Sequence, residues 1–437
     1  MNDNSGILAE LVNGTWQEPG TGKRFDIGVK DIVMRNSLDG AEAELVARLH
    51  AGKSITIISD ENTHGAIGER VYKALKSDGV KVDEYIWENP ECSDEGVAHI
   101  RQATAKCEVR IAAGSGTISD TVKYASFLDE KPYSVFATSP MTAYTSTTAS
   151  VSSGGFKRSI TCKGAQGIYF DLRVLVDCPP RLISAAFADV ICRTTSQVDW
   201  LLSHLLFDTP YSETPYTLLA YDEADMIANA HQMRNGDLDA MGMLTRISAI
   251  LGLGTRFTGT THSGSMAEHM ISHYIDMFAG DRHPGTSHGE QVGVATVTMS
   301  QLQNKILNNT TPPILKPTII PERWMRDSFS KVVSDNMLEQ TRKKALDSEQ
   351  CDALNLKLQS EWEVLRASLR QCLLPYDQLY KAMSDAVCHT RASDLGLDSG
   401  FYREAVKGAR FIRDRYSVLD LVDDSTGLDD FVQTMPV

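Results

Sequence analysis

The chain has 437 residues, enough for two or three domains, and 42% hydrophobic with 23% charged residues is the balance of an ordinary globular protein. A formal net charge of -14 argues against a nucleic-acid partner or an anionic membrane surface, because such partners select an excess of Lys and Arg. Eight scattered cysteines with no CxxC pair read as reduced thiols, and neither a basic-then-apolar leader nor a run of about eighteen apolar residues is present, so the expected location is cytoplasmic with no membrane span.

After a polar start rich in Gly, Asn and Thr, strand and helix signals alternate. Residues 54–58 (SITII) are a β-branched run, 60–63 supply turn and cap chemistry, and 65–76 read as a helix. Residues 82–87 and 109–113 are further strands, with a helix over 93–107 between them. This βαβαβ pattern predicts a parallel sheet covered by helices. The strand at 109–113 runs into Gly114, Ser115, Gly116 and Thr117, then into a helix with Ile118, Val122 and Ala125 on one face. Small residues there let a phosphate approach backbone N–H groups at the positive end of a helix, although two glycines also serve tight turns for steric reasons alone. Ser119 stands where the Rossmann fingerprint has its third glycine, and Asp60 precedes the loop instead of following it by about twenty residues, so a dinucleotide site here is not a Rossmann one.

Residues 133–137 read as another strand. The Ser/Thr/Ala-rich stretch 138–155 suits either a linker or a loop closely around a ligand, and 168–176 restores strand character before Cys178, Pro179 and Pro180 break the chain. The expected organisation is an α/β domain over 1–178 and an all-helical domain over 179–437.

In the second half, Asp189 interrupts an apolar helical stretch over 182–206. A carboxylate in such surroundings needs a partner, either a capping or salt-bridging group or a metal. Residues 217–253 read as helices and 253–265 as a loop. The stretch 264–293 holds His269, His273, His283 and His288, four of the eleven histidines. His269 and His273 share a helix face, and His288 follows a Gly/Pro/Ser-rich turn. The cluster is either a polar helix face or part of a metal site that takes its third ligand from elsewhere. A proline-bearing connector (306–326) and a charged helical pair (327–374) follow. Residues 402–416 gather Arg403, Lys407, Arg410, Arg413 and Arg415, either as a basic face pairing with acidic neighbours or as a phosphate-binding element.

Six ordered blocks, ISDENTH (58–64), AAGSGTISDTVKYAS (112–126), ADVICRTTSQVDW (188–200), AEHMISHYIDM (267–277), HGEQVG (288–293) and IRDRY (412–416), make the chain resemble the bacterial sn-glycerol-1-phosphate dehydrogenases of the dehydroquinate synthase-like and iron-containing alcohol dehydrogenase-like superfamily. The resemblance implies an α/β N-terminal dinucleotide-binding domain and an all-α C-terminal metal-binding domain, a dehydroquinate synthase-like fold. It implies NAD or NADP as cofactor and one divalent metal (Zn, Ni or Fe) held by Asp189, His269 and His288. Asp60 then lies near the adenosine ribose and Gly114, Ser115, Gly116 and Thr117 near the pyrophosphate, with Asp120, Thr138 and Ser139 also in the cofactor site. His273 and Lys123 are the implied catalytic residues. Two substrate-facing positions depart from the family pattern: Thr142 stands where an acid is usual, and His262 where an arginine is usual.

The function implied is a metal-dependent NAD(P)-linked oxidoreductase that interconverts a small, phosphorylated or unphosphorylated polyol and its carbonyl form, glycerol 1-phosphate and dihydroxyacetone phosphate being the nearest candidates. The expected partners are a small-molecule substrate and a second copy of the chain in a homodimer. Two alternatives remain: a synthase or cyclase that recycles NAD as an internal oxidant, and a binding homologue with altered catalysis. The family segment Asp-Ser-x-x-Gly-Gly-Lys of the synthases finds only a faint echo in Gly154, Gly155, Phe156 and Lys157.

Overall fold

The strand signals of the first half join into one sheet whose strands all run parallel. In the computed structural model residues 6–437 are described, and the strands are β1 (Asp31–Arg35), β2 (Ile55–Ser59), β3 (Val82–Ile86), β4 (Val109–Gly114), β5 (Tyr133–Ala137), β6 (Thr148–Ser153), β7 (Phe156–Thr161) and β8 (Gly167–Asp171). Among the described residues the sheet has six strands in the order β1-β8-β5-β4-β2-β3, and β6 pairs with β7 in a separate ribbon. Every residue of β2, β4, β5 and β8 is buried, as a parallel sheet covered on both faces requires. Val33, Ile55, Ile57, Val71, Val109, Ile111 and Phe136 belong to one apolar cluster on this sheet.

From β2 the chain crosses to β3 at one edge, whereas β4 returns on the other side of β2 and is followed outward by β5. Successive connections therefore diverge between β2 and β4, and open α/β sheets bind ligands at the carboxyl ends of strands at such a divergence. Gly114 closes β4 there. A Cβ at Gly114 would lie 2.8 Å from the Ile118 Cβ, so only glycine lets the strand fold directly over the first turn of the helix Gly116–Leu128.

Several segments differ from the sequence expectation. β1 lies within the start read as polar and irregular, because its alternation is short and its flanks carry Lys, Asp and Asn. The stretch 168–176 is a strand only to Asp171, whose side chain accepts from Arg173 N (3.1 Å) and Val174 N (3.4 Å) and so starts a helix, Leu172–Val176. The Ser/Thr-rich stretch after β5 is neither a linker nor a plain loop: it forms the turn Thr142–Tyr144 and then the β6–β7 ribbon. The expected loop 253–265 is helical to Thr258, where Gly259 in a left-handed conformation ends the helix Leu238–Thr258.

Two compact units result. One comprises residues up to Ser153, Lys157–Ala186 and Glu213–Thr261, and the other Gly154–Phe156, Phe187–Ser212 and His262–Val437. The helices between Glu213 and Thr261 thus group with the sheet, a division different from the one expected after residue 178. Small residues explain it. A Cβ at Gly242 would lie 3.4 Å from Leu172 Cδ1, and one at Gly252 would collide with Thr142 O at 2.2 Å, so this helix lies directly on the backbone that follows the strands. The second unit is helical, with its core built from the helices Arg193–Phe207, Ala267–Phe278, His288–Asn308, Ser348–Cys372 and Ser399–Gly408.

Among the described residues no helix is long and apolar enough to cross a membrane. All eight cysteines are free thiols, six of them buried. Burial pushes Cys92 and Cys178 up to about 12 and Cys162 to about 11.

Two measurements check this packing. Gly114→Ala is expected to lose about 1–3 kcal/mol in urea unfolding through the Ile118 clash, while Gly116→Ala, whose Cβ would meet nothing nearer than Ala143 Cβ at 3.7 Å, stays near the parent. His50 is buried against Ser134 Oγ (2.8 Å), and burial followed by the charges of Lys30 and Lys53 lowers its pKa to about 4. The unfolded chain then binds the proton more readily, so stability is lost as pH falls from 6.5 towards 4. The expected loss from this group at pH 5 relative to pH 7.5 is about 2 kcal/mol, and it is absent in His50→Gln; equal losses in both proteins would refute the assignment.

Candidate functional site

Three helices bring the predicted metal ligands together. Asp189 lies near the end of Pro180–Ile191, His269 is the third residue of Ala267–Phe278, and His288 opens His288–Asn308. The entry of the last helix is fixed by a capping box, in which Ser287 N and Ser287 Oγ both donate to Glu290 Oε2 at 2.6 and 2.8 Å. Asp189, His269 and His288 each offer a ligand atom within 4.8 Å of the other two. Asp189 and His269 are buried, and His288 is half-buried.

The protonation pattern of the imidazoles follows from their hydrogen bonds. His269 Nδ1 is 3.0 Å from Glu268 Oε1, a carboxylate that can only accept when ionised, so Nδ1 carries the proton and Nε2 points towards Asp189 Oδ1 at 3.3 Å. Two acceptor atoms facing each other are stable only with a cation between them. Burial lowers the pKa of His269, but its hydrogen bonds to Asp189 and Glu268 and their charges more than offset this and hold it at about 9. A proton takes the cation's place in the metal-free protein, and the arrangement fits a divalent ion.

His288 reaches the same state through neutral partners. Gln291 Nε2 donates to Asp276 Oδ1 (3.0 Å), which leaves Gln291 Oε1 to accept from Ser272 Oγ (2.8 Å). Ser272 has then used its single proton and must accept from His288 Nδ1 at 2.9 Å. His288 Nε2 is left as the lone-pair nitrogen, the form a metal ligand requires.

His273, one turn after His269, has the opposite tautomer. Arg413 Nη2 lies 3.2 Å from its Nδ1, and a guanidinium can only donate, so the proton of neutral His273 is on Nε2. Its ring is 5.4 Å from that of His288 and 6.3 Å from that of His269, yet it stands outside the three-ligand group. His283, on the turn before the last helix, pairs with Asp276 at 3.2 Å.

Buried acids fix the helix that carries His269. Glu268 accepts from Met266 N at 2.7 Å and from Thr195 Oγ1 at 3.3 Å. Asp199 accepts from Ala267 N (3.3 Å), Gln303 Nε2 (3.1 Å) and Val418 N (3.0 Å), and so joins the starts of two helices. Burial and the charge of Glu268 raise Asp199 to about 8. Glu268, Ser272, Gln291 and Asp199 were not singled out from sequence. The EH and HxxxH spacing in AEHMISH gives a signal for Glu268, whereas Asp199 and Gln291 look like any other polar helix residues.

The predicted cofactor residues lie in the sheet unit. Asp60, half-buried after β2, caps the next turn: its Oδ1 accepts from Thr63 N at 2.8 Å, and its N donates to Thr63 Oγ1 at 3.0 Å. Ser115 caps the helix Gly116–Leu128 without a side-chain hydrogen bond, and Gly116 and Thr117 form its first turn. Tyr144 Oη donates to Gly114 O (3.0 Å) and takes the proton of Ser139 Oγ (2.9 Å), so Ser139, buried with Thr138, braces the Gly-rich loop from behind.

Lys123 is placed differently from its predicted catalytic role. Its buried ammonium donates at 2.8 Å to each of Asp120 Oδ1, Ala143 O and Thr148 O, which uses all three of its protons. Asp120 Oδ2 accepts from Ser150 N at 2.9 Å. The pair holds the segment 142–150 in place. Thr142 opens the turn Thr142–Tyr144 in this segment and brings no charge to it.

His262 lies in the turn His262–Gly264, tied to the helix Arg193–Phe207 by Ser196 Oγ donating to Ser263 O at 3.2 Å. Burial and then the charge of Arg415 push its pKa down to about 3, so a neutral ring stands there.

Known proteins resemble the chain in sequence and in fold. Residues 33–179 match the family model described as iron-containing alcohol dehydrogenase. The chain is 31% identical over 263 residues to a glycerol-1-phosphate dehydrogenase [NAD(P)+] of Halalkalibacterium halodurans, a match covering 57% of this chain and 64% of that protein, just under two thirds of its length. It is 24% identical over 405 residues to the protein of the same name from Geobacillus thermodenitrificans, covering 90% and 92% of the two chains. Among solved structures, a probable glycerol dehydrogenase of Sinorhizobium meliloti superposes with a TM-score of 0.59 at 14% identity, over 93% of this chain and 98% of that one. The glycerol dehydrogenase of Schizosaccharomyces pombe does so with a TM-score of 0.60 at 15% identity, over 90% and 88%. The chain is thus similar in sequence to glycerol-1-phosphate dehydrogenases, over residues 33–179 to the iron-containing alcohol dehydrogenase family model, and in fold to two glycerol dehydrogenases.

Proposed function

We propose that the protein is a metal-dependent, NAD(P)-linked oxidoreductase that interconverts a small polyol phosphate and its carbonyl form, with glycerol 1-phosphate and dihydroxyacetone phosphate as the leading pair. The observation that carries this reading is the grouping of Asp189, His269 and His288, each with a ligand atom within 4.8 Å of the other two and each imidazole held by a hydrogen bond on its Nδ1. When bound, a divalent ion there supplies Lewis acidity to a carbonyl or alcohol oxygen, and the nicotinamide supplies or takes the hydride.

The chain's own residues supply the rest. Glu268 and Ser272 keep the two ligand nitrogens bare. His273 holds its proton on Nε2 and, as a hydrogen-bond donor beside the ligands, can deliver it to a substrate oxygen in the reductive direction. Asp120 and Lys123 act by holding the 142–150 segment, not by proton transfer. Asp60 offers a carboxylate to a ribose hydroxyl, while its charge, next to Glu61, opposes a 2′-phosphate, so NAD is the preferred cofactor. As part of the same reading the protein acts in the cytoplasm as a homodimer, which light scattering of the purified protein tests.

His288→Ala is expected to lose the metal and the activity together, and Glu268→Gln to bind metal about 10–100-fold more weakly, as measured by metal analysis after dialysis against a chelator. Full metal content and activity in His288→Ala would reject the site. The kcat/KM with NADH should exceed that with NADPH by more than about tenfold, and Asp60→Ser should narrow the gap; equal use of the two cofactors by the parent would remove Asp60 from the ribose site.

A further inference from the structure

The basic run 402–416 divides into two groups. Arg403 donates to Val432 O and to Met435 O (3.3 Å), Lys407 pairs with Asp429, and Arg410 is held by Asp420 (3.1 Å), Asp424 (3.2 Å) and Asp423. These three secure the C-terminal helices Val418–Asp424 and Leu428–Thr434. Arg413 and Arg415 lie on the irregular segment that follows the turn Ala409–Phe411, and both turn towards the metal-ligand cluster. Arg413 Nη2 reaches His273 Nδ1 at 3.2 Å, and Arg415 donates to Ser265 O and to Ser265 Oγ (3.4 Å), on the stretch that leads into the His269 helix.

We infer that Arg413, with Arg415 behind it, is the specificity-determining element for the anionic group of the substrate. This rests on the reading of the site as a polyol phosphate oxidoreductase. His262 cannot contribute charge, because burial and Arg415 keep it neutral. Two guanidinium groups two residues apart repel each other, and burial together with the charge of Arg413 lowers Arg415 to about 10. Asp414, exposed between them, and the buried Glu268 temper this charge. A guanidinium presents a planar fork of donors that suits phosphate oxygens, and one Nη of Arg413 on His273 keeps that fork beside the group that handles the substrate oxygen.

The test uses metal-loaded parent, Arg413→Gln and Arg413→Lys. Two quantities are read: the ratio of kcat/KM for dihydroxyacetone phosphate to that for dihydroxyacetone, and the binding of inorganic phosphate by calorimetry without cofactor. Taking the ratio cancels any loss that comes through His273 and falls on both substrates. The expected result is a ratio lowered by about 100-fold in Arg413→Gln, mainly through KM for the phosphate ester, with phosphate binding weakened in parallel, and about tenfold in Arg413→Lys. If Arg413→Gln fails to fold, the lysine variant carries the test. An unchanged ratio and unchanged phosphate binding, with both substrates slowed equally, would overturn the inference and leave Arg413 as a positioning residue for His273. A parent enzyme that prefers dihydroxyacetone to its phosphate overturns the substrate reading itself, a result separable from the first because it needs no variant.

Discussion

The helices that carry Asp189, His269 and His288 are arranged around one imidazole held between two buried carboxylates. Glu268 accepts the Nδ1 proton of His269, and Asp189 faces its Nε2, so the ring is stable only when a cation, proton or metal, sits on the Asp189 side. Much of the surrounding packing serves this requirement. Glu268 is fully buried and satisfied by Met266 N and Thr195 Oγ1, and Asp199 anchors the start of the same helix while also reaching Val418 N on the segment beyond Arg415. The charge at the centre and the orientation of the helix are thereby set by the same hydrogen bonds. His288 reaches its ligand form by the longer relay through Ser272, Gln291 and Asp276, which contains only one formal charge, at its far end.

The sheet unit solves a different problem. A Gly-rich loop between a strand and a helix is small, but glycine alone does not make it immobile. Here immobility comes from Tyr144, which joins Gly114 O to Ser139, and from Lys123, which ties Asp120 to two carbonyls of the following segment. A lysine two turns into a helix that follows a Gly-rich loop looks catalytic in sequence. In the folded chain its three protons have three acceptors, and they hold the segment of hydroxyl residues from Thr142 to Ser150.

What could be read from sequence depended on whether the signal was local. β2 and β4 were legible because apolar, β-branched runs ended at Ser59–Asp60 and at Gly114, and the cluster of Asp189, His269 and His288 because His269 and His288 flank a turn while Asp189 interrupts an apolar helix. The switch from strand to helix at Asp171 was hidden because IYFDLRVLV is apolar on both sides of its cap. The reach of Leu238–Thr258 was hidden because its glycines, ordinarily loop signals, are contact points against Leu172 and Thr142. The sorting of the basic run into structural and site-facing cations could not be read at all from spacing, since it depends on Asp420, Asp423 and Asp424, which the chain brings back only after a further turn.

The burial of the thiols has a consequence for how the folded state opens. Cys92, Cys107 and Cys162 are enclosed in the sheet unit, and Cys192 and Cys351 in the helical unit, with no disulfide tying any of them. A buried thiol raised towards 12 is unreactive until its surroundings part, so the rate at which each sulfur meets an alkylating reagent is set by the local opening free energy. The chain therefore carries a set of built-in clocks, one group in each unit. Their relative rates reveal whether the sheet unit and the helical unit breathe as one cooperative body or as two.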